Sequence, residues 1–117
     1  MIAYAAERNV TIVPEIDVPG HSMALLAAYP ELSTRKELKF VNPGSKFANW
    51  FDDGTFEMTI ENTLYPSNPA VYAFLDMIFG EIAGLFPSDY IHMGGDECYH
   101  GYWERDEKVQ AFMKENG

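Results

Sequence analysis

Positive charge is scarce in this chain. Its 117 residues hold 8 Lys and Arg against 18 Asp and Glu, a formal net charge of −10. Such a surface repels nucleic acid and anionic membrane, since both reward clusters of Lys and Arg that are missing here. No apolar stretch nears the roughly 20 residues a membrane span needs, and no cationic-then-apolar segment reads as a signal. Neither nucleic acid nor membrane is therefore expected as a partner. Cysteine occurs once, as Cys98, which excludes an intrachain disulfide framework and leaves the compartment open. Cys98 directly follows Glu97, with His92 and His100 near in sequence, yet no cationic setting or defined base accompanies it. It reads as a passive thiol. What is plentiful is apolar and aromatic character, 47% and 15% of residues. That suits one modest globular core, with no domain boundary inside residues 1–117.

One stretch organises the rest: Ile91-His92-Met93-Gly94-Gly95-Asp96-Glu97. A short apolar run, residues 90–93, ends in two glycines and then two adjacent carboxylates. This predicts a buried strand, a tight turn, and acidic groups held at the strand's mouth. The glycines allow positive φ or close approach of the backbone to a ligand, where a Cβ would clash. Neighbouring carboxylates resist carrying two charges at once, which is the arrangement acid/base chemistry uses. The seven residues alone are equally compatible with an acidic solvated turn.

Taken in order, residues 1–8 predict the last turns of a helix stopped at Asn9. Residues 10–17 predict a mostly buried, β-branched strand with Val13, Glu15 and Asp17 on one face and Val10, Ile12 and Ile16 on the other. Pro14 cannot donate to a ladder and should lie near the strand's end or at a bulge. A turn at Val18-Pro19-Gly20 delivers His21, and Ser22 is placed to cap a short helix over 23–29. Residues 31–64 have no clean period, and Phe40, Phe47, Trp50, Phe51 and Phe56 suggest packing on a neighbour rather than disorder. Asn68 and Pro69 open the clearest helix, 68–86, with Val71, Phe74, Leu75, Ile78, Phe79, Ile82, Leu85 and Phe86 at helical spacing. A last helix is predicted over 105–115.

Alternating strands and helices argue for a parallel sheet with helical crossovers. Two strands cannot complete such a sheet, and acidic groups after strand ends are where α/β barrels keep their sites. The expected fold class is α/β, a partial (β/α)8 TIM barrel of about two β/α units, a middle slice of a larger domain.

At this point two motifs, Val13-Pro14-Glu15-Ile16-Asp17-Val18-Pro19-Gly20-His21 and His92-Met93-Gly94-Gly95-Asp96-Glu97, together resemble the catalytic barrel of the β-N-acetylhexosaminidases, glycoside hydrolase family 20. The likeness runs over nearly the whole chain and is weakest from about residue 33 to 61. It implies that the two strands are the third and fourth of the barrel. It also implies a retaining exo-glycosidase that removes terminal N-acetylglucosamine or N-acetylgalactosamine from glycans and glycoconjugates. Glu97 falls where the family has its general acid/base, and Asp96 where it has the residue that orients the substrate's acetamido group. His21 matches a histidine supporting the acid/base, and Asp17 an acidic residue of the same motif. The family's sugar-binding arginine, pocket tryptophans and later Asp/Tyr pair would fall outside these 117 residues. No cofactor is implied, and parents of this family are often secreted, periplasmic or lysosomal. An ordinary retaining glycosidase holds two carboxyls about 5–5.5 Å apart, whereas this class uses the substrate's own 2-acetamido oxygen as nucleophile. One proton donor and one carboxylate on the amide nitrogen then suffice, and neighbouring residues at a strand end can supply both. The donor is expected to sit partly buried beside its neighbour, which raises its pKa.

Other residues are read more plainly. His92 is expected to be a hydrogen-bonded core histidine. His92, Asp96, Glu97 and His100 resemble a set of metal ligands, but Gly94-Gly95 breaks the helix such pairs need, so no metal is expected. Tyr99, Tyr102 and Trp103 have the ring faces to stack on sugars, although Trp103 suits packing the following helix; Trp50 and Phe51 suit a substrate rim. Two other readings stay open, a catalytically silent carbohydrate-binding or pseudo-enzyme module and a divalent-metal-binding α/β protein. On its own the chain is expected to be inactive and to self-associate, because the helix over 68–86 has too few partners to bury its apolar stripe.

Overall fold

The computed structural model of the chain describes residues 1–34, 41–42, 44 and 46–117. Of the loop aromatics, Phe40 lies outside them. The two expected strands run parallel and side by side, although they pair over a very short distance. Glu15 and His92 form a parallel bridge. The His92 N–H donates to the Pro14 carbonyl (2.9 Å), the Ile16 N–H to the His92 carbonyl (2.9 Å), and the Val18 N–H to the Met93 carbonyl (3.1 Å). Pro14 explains the lower limit. Its nitrogen faces the partner strand but carries no proton for the Tyr90 carbonyl, so the ladder cannot extend backwards. The expected alternation holds only in part. Pro14 and Val18 are buried and Ile12 and Ile16 half-buried, while Val13 and Glu15 are exposed. Val10 is exposed as well, and so are Tyr90, His92 and Met93. Neither segment is the buried strand expected, because nothing described covers the second face of the pair.

Among the described residues five α-helices, the longest of them Pro69–Leu85, surround this pair. Helix α1 (Ile2–Ala6) stops at Asn9, whose φ of 55° is left-handed. The Val10 N–H reaches back to the Ala5 carbonyl, as in a helix that ends on a left-handed residue. Helix α2 (Met23–Ala28) starts after Ser22, but Ser22 does not cap it: its hydroxyl donates to the Gly20 carbonyl instead. Helix α3 (Pro69–Leu85) is capped by the Asn68 side chain, which accepts from the Ala70 N–H. The expected helix over 105–115 is α5 (Glu107–Asn116), which starts two residues later, and an additional short helix, α4 (Gly101–Glu104), precedes it. The break falls at Asp106, whose carboxylate accepts from the Lys108 and Val109 N–H groups and so begins a new helix.

The irregular stretch between α2 and α3 hides an antiparallel hairpin, β1 (Ala48–Trp50) and β2 (Phe56–Met58), with Ala48 opposite Met58 and Trp50 opposite Phe56. Its turn is closed by Asp53, whose carboxylate accepts from both the N–H and the hydroxyl of Thr55 and is held below the usual carboxylate range by them. An ion pair between Arg105 and Glu57 (2.7 Å) ties β2 to the end of α4.

The core gathers Val18, Leu26, Leu32, Leu64, Tyr65, Val71 and Val109. Its centre is residues 61–65, all buried despite having no regular structure. The Leu64 N–H donates to Pro19, the Ser22 N–H to Asn62, and the Tyr65 N–H to Leu32. Thr63 donates to the Tyr99 carbonyl, Trp103 Nε1–H to the Leu64 carbonyl, and the Tyr65 hydroxyl to Asp106. By contrast α3 buries only Val71. The radius of gyration is 17.0 Å, against about 13 Å for a self-contained domain of this length. Among the described residues no helix is long and apolar enough to cross a membrane.

Candidate active site

Both expected site loops leave the same end of the short parallel ladder. The first, after Val18, carries His21; the second, after Met93, carries Asp96 and Glu97. Their backbones touch. Gly20 lies so near the second loop that a Cβ there would be 3.2 Å from the Asp96 carbonyl and 3.4 Å from Cys98 Cα. Gly94 is tighter still, with a φ of +65°, and a Cβ there would fall onto the Asp17 carboxylate and 2.7 Å from Asp17 Cα. No other residue type fits that crossing. The space is used by Asp17, whose Oδ1 accepts from the Gly95 N–H at 2.9 Å.

Held in this way, His21 stands among three carboxylates. Its Nε2 is 3.4 Å from Glu97 Oε2, 3.8 Å from Asp96 Oδ2 and 3.9 Å from Asp17 Oδ2. These distances are electrostatic contacts, longer than a formed N–H···O bond, so the imidazole is placed to favour any of the three. His21 and Glu97 both have left-handed backbones, φ 48° and 47°, shared among described non-glycine residues only with Asn9. Such strain in a non-glycine residue costs on the order of 1–3 kcal/mol and persists where the surrounding structure imposes it. The Glu97 side chain is 79% exposed. The partial burial expected for the proton donor is therefore not supplied by these residues, because nothing described packs over the mouth of the ladder.

A groove of about 690 Å³ opens beside this cluster. Its walls include His21 and Glu97 together with Phe47, Trp50, Phe56 and Tyr99; among the described residues Asp17 and Asp96 are not part of them. The rings form a continuous run. Trp50 lies 5.0 Å from Phe56, Phe56 5.6 Å from Tyr99, and Tyr99 5.4 Å from Tyr102, measured between centroids. A slightly larger hollow, about 780 Å³, between Asn68 and α5 carries none of the acidic cluster.

The remaining candidates are dispersed. Tyr102 is buried, its hydroxyl donating to the Met58 carbonyl, and is used in packing under the hairpin. Trp103 is half-buried, bonded to Leu64 and stacked on His100 at 5.2 Å. His92 is not in the core. It is exposed on the open face, with Nδ1 3.2 Å from Glu15 and 3.1 Å from the Gly94 N–H. That nitrogen can accept from Gly94 only while unprotonated, and can donate to Glu15 only when it carries the proton. The four residues that resembled metal ligands do not converge, since His92 turns to Glu15 and His100 to Trp103. Asp17, His21 and Asp96 do bring donor atoms within 4.8 Å of one another. Burial, and then the Asp17 charge, push the Cys98 thiol above its usual range, which disfavours the thiolate a nucleophile needs. The buried Asn62, a wall of the groove, carried no sequence signal; only the fold brings it there.

The chain is 41% identical to a β-hexosaminidase of Vibrio furnissii over 117 residues, all of the chain and 17% of that protein. It is 33% identical to the human β-hexosaminidase β subunit over 118 residues, 18% of that subunit's length. The crystal structure of the Bacteroides fragilis β-N-acetylhexosaminidase superposes with a TM-score of 0.76 at 31% identity, over 98% of this chain and 19% of that one. An exo-β-N-acetylglucosaminidase of Vibrio harveyi, solved with N-acetylglucosamine, gives 0.72 at 34% identity, over 99% and 16%. The chain thus spans about a fifth or less of these relatives. Residues 1–117 in their entirety match the catalytic domain of glycosyl hydrolase family 20, and the chain belongs to that family.

Proposed function

We propose that this chain contributes the acid/base half of the active site of a retaining exo-β-N-acetylhexosaminidase. The reading rests above all on the convergence of Glu97, Asp96 and Asp17 on the His21 imidazole at the open end of two parallel segments. In it, Glu97 gives its proton to the glycosidic oxygen. Asp96 holds the acetamido N–H of the substrate, so that the acetamido oxygen attacks the anomeric carbon and the positive charge developing on the amide is balanced. Water then opens the cyclic intermediate, Glu97 taking a proton from it. His21, within 3.4 Å of Glu97, orients that carboxyl, and Asp17 fixes the loop beneath it. The two paired segments are the third and fourth strands of a (β/α)8 barrel, which typically needs about 250 residues to close. The remaining strands would cover the apolar face of α3 and supply the sugar clamps, so the 117 residues alone lack activity.

In the full-length protein, Glu97→Gln should lower turnover of an N-acetylglucosaminide with a poor leaving group by roughly 10²–10⁴ while sugar still binds. Wild-type turnover by that variant would remove Glu97 from the proposed role. Activity that survives exhaustive chelation separates this reading from one in which Asp17, His21 and Asp96 hold a divalent ion.

A further inference from the structure

We infer that His92 is a positioning residue for the acidic pair: its Nδ1 draws the Gly94 N–H out of the strand ladder and so sets the turn that carries Asp96 and Glu97. The consequence for turnover rests on the roles proposed above for those two carboxylates. Around the Glu15–His92 bridge the parallel ladder is regular, with the His92 N–H on Pro14 and the Ile16 N–H on the His92 carbonyl. Every second residue of a parallel strand repeats that pair of bonds. The next pair would therefore join the Gly94 N–H to the Ile16 carbonyl and the Val18 N–H to the Gly94 carbonyl. The molecule does otherwise. The Gly94 N–H points to His92 Nδ1 at 3.1 Å, and the Val18 N–H goes to the Met93 carbonyl, one residue early. The chain leaves the ladder there, and Gly94 turns away with a φ of +65°.

Standing two residues before the donor, the ring closes the kind of loop that an asparagine side chain closes in an Asx turn. The following donor is held too, since the Gly95 N–H goes to Asp17 Oδ1 at 2.9 Å. Two successive N–H groups ahead of Asp96 are thus taken by side chains, one from each paired segment. Without the His92 bond, the Gly94 N–H has the Ile16 carbonyl as its alternative. A ladder extended by that step straightens the chain just before Asp96. Asp96 and Glu97 would then leave the level at which they meet His21, 3.8 and 3.4 Å away. The bond also specifies the state of the ring. Nδ1 serves Gly94 only through its lone pair, so the proton of the neutral imidazole belongs on Nε2. Glu15, 3.2 Å from the same nitrogen, is the competing partner, and it takes Nδ1 only if that atom carries a proton.

The test uses the full-length protein with His92→Asn, His92→Gln and His92→Phe. Asparagine keeps an acceptor where Nδ1 stands, glutamine moves its amide out to the Nε2 position, and phenylalanine keeps a ring without an acceptor. Crystal structures should show the Gly94 turn intact in His92→Asn and drawn towards the Ile16 carbonyl in the other two. Glu15→Ala should leave the turn in place. Turnover is read on the methyl and p-nitrophenyl β-glycosides of N-acetylglucosamine. His92→Gln and His92→Phe should lower kcat on the methyl glycoside on the order of 10²-fold, as a misplacement of about 1 Å does. The p-nitrophenyl glycoside, whose leaving oxygen needs little help from an acid, should fall less. His92→Asn should recover most of the rate on both. An unmoved turn in His92→Gln, or a turn lost in Glu15→Ala, would overturn the positioning role. Equal kcat losses in His92→Asn and His92→Gln would overturn it as well, and that pair decides alone if His92→Phe does not fold. Wild-type turnover by Glu97→Gln would instead remove the proposed reaction, and the crystal structures would still decide whether His92 sets the turn.

Discussion

The most regular element of this molecule and its least regular one have exchanged the roles that a reader of the sequence would give them. Helix α3 has a cap, a proline at its first position and an unbroken apolar stripe, yet it buries only Val71. Residues 61–65 have no period, no turn signal and a glutamate at their head, yet every one is buried. Through hydrogen bonds they receive or support Pro19, Ser22, Leu32, Tyr99, Trp103 and Asp106. The difference is one of dependence. The 61–65 segment finds its partners within the chain, so its burial is complete here. The stripe of α3 is only half-covered here: Phe74, Leu75 and Phe79 pack against the core, while Leu85 is left exposed.

Leu64→Ala should be the costliest way to break this contrast. The side chain is 1% exposed at the centre of the core, and its truncation should cost about 2.7–5 kcal/mol in the full-length protein. Denaturant unfolding followed by activity would check this; a shift below about 1 kcal/mol would mean the segment is not the hub it looks to be. The stripe of α3 gives a smaller effect of the opposite kind. The 117-residue chain alone should associate through it, and Ile82→Glu should shift the chain towards monomer, each copy forfeiting about 1.5–3 kcal/mol of burial. Sedimentation velocity over a concentration series tests both arms. A wild-type chain that stays monomeric and unfolds cooperatively would show that α3 already has what it needs. The smallest effect sharpens the boundary between the regions. Cys98 is half-buried, and its thiol is raised by that burial and by Asp17. Its alkylation by iodoacetamide should therefore rise at higher pH in folded protein than in the same protein unfolded in urea. Superimposable pH profiles would place Cys98 in solvent.

Much of the site was legible because it is written in local chemistry. Gly94-Gly95 before Asp96-Glu97 predicted a tight turn with positive φ, which both glycines show, although the close approach at Gly94 is to the Asp17 side chain and not to a ligand. The 3.6-residue spacing gave α3 to within a residue, and Pro14 was placed correctly at a ladder end. What escaped depended on partners distant in sequence. Nothing near His92 tells that its strand faces Glu15 across an open side, so a core position was the natural inference and the wrong one. The hairpin was lost because three-residue strands are too short to show a period. Asp106 went unnoticed as a cap because the helix seemed to begin one residue earlier, at Arg105. The left-handed backbones of His21 and Glu97 have no sequence signature at all.

Pro14 has one more effect, on height. A parallel pair can in principle slide by two residues and keep its faces, and with a rise of about 3.3 Å per residue that carries everything at the strand end about 6.6 Å along the strand. Here sliding one way would ask Pro14 to donate to the His92 carbonyl, which it cannot do. Sliding the other way would move the Asp17 carboxylate off the gap above Gly94 and into neighbours that have a Cβ. The two motifs therefore act as a stop at each end of a short travel. His21 and Glu97, 76 positions apart in the chain, are brought to the same level by a missing proton below and a missing methyl above.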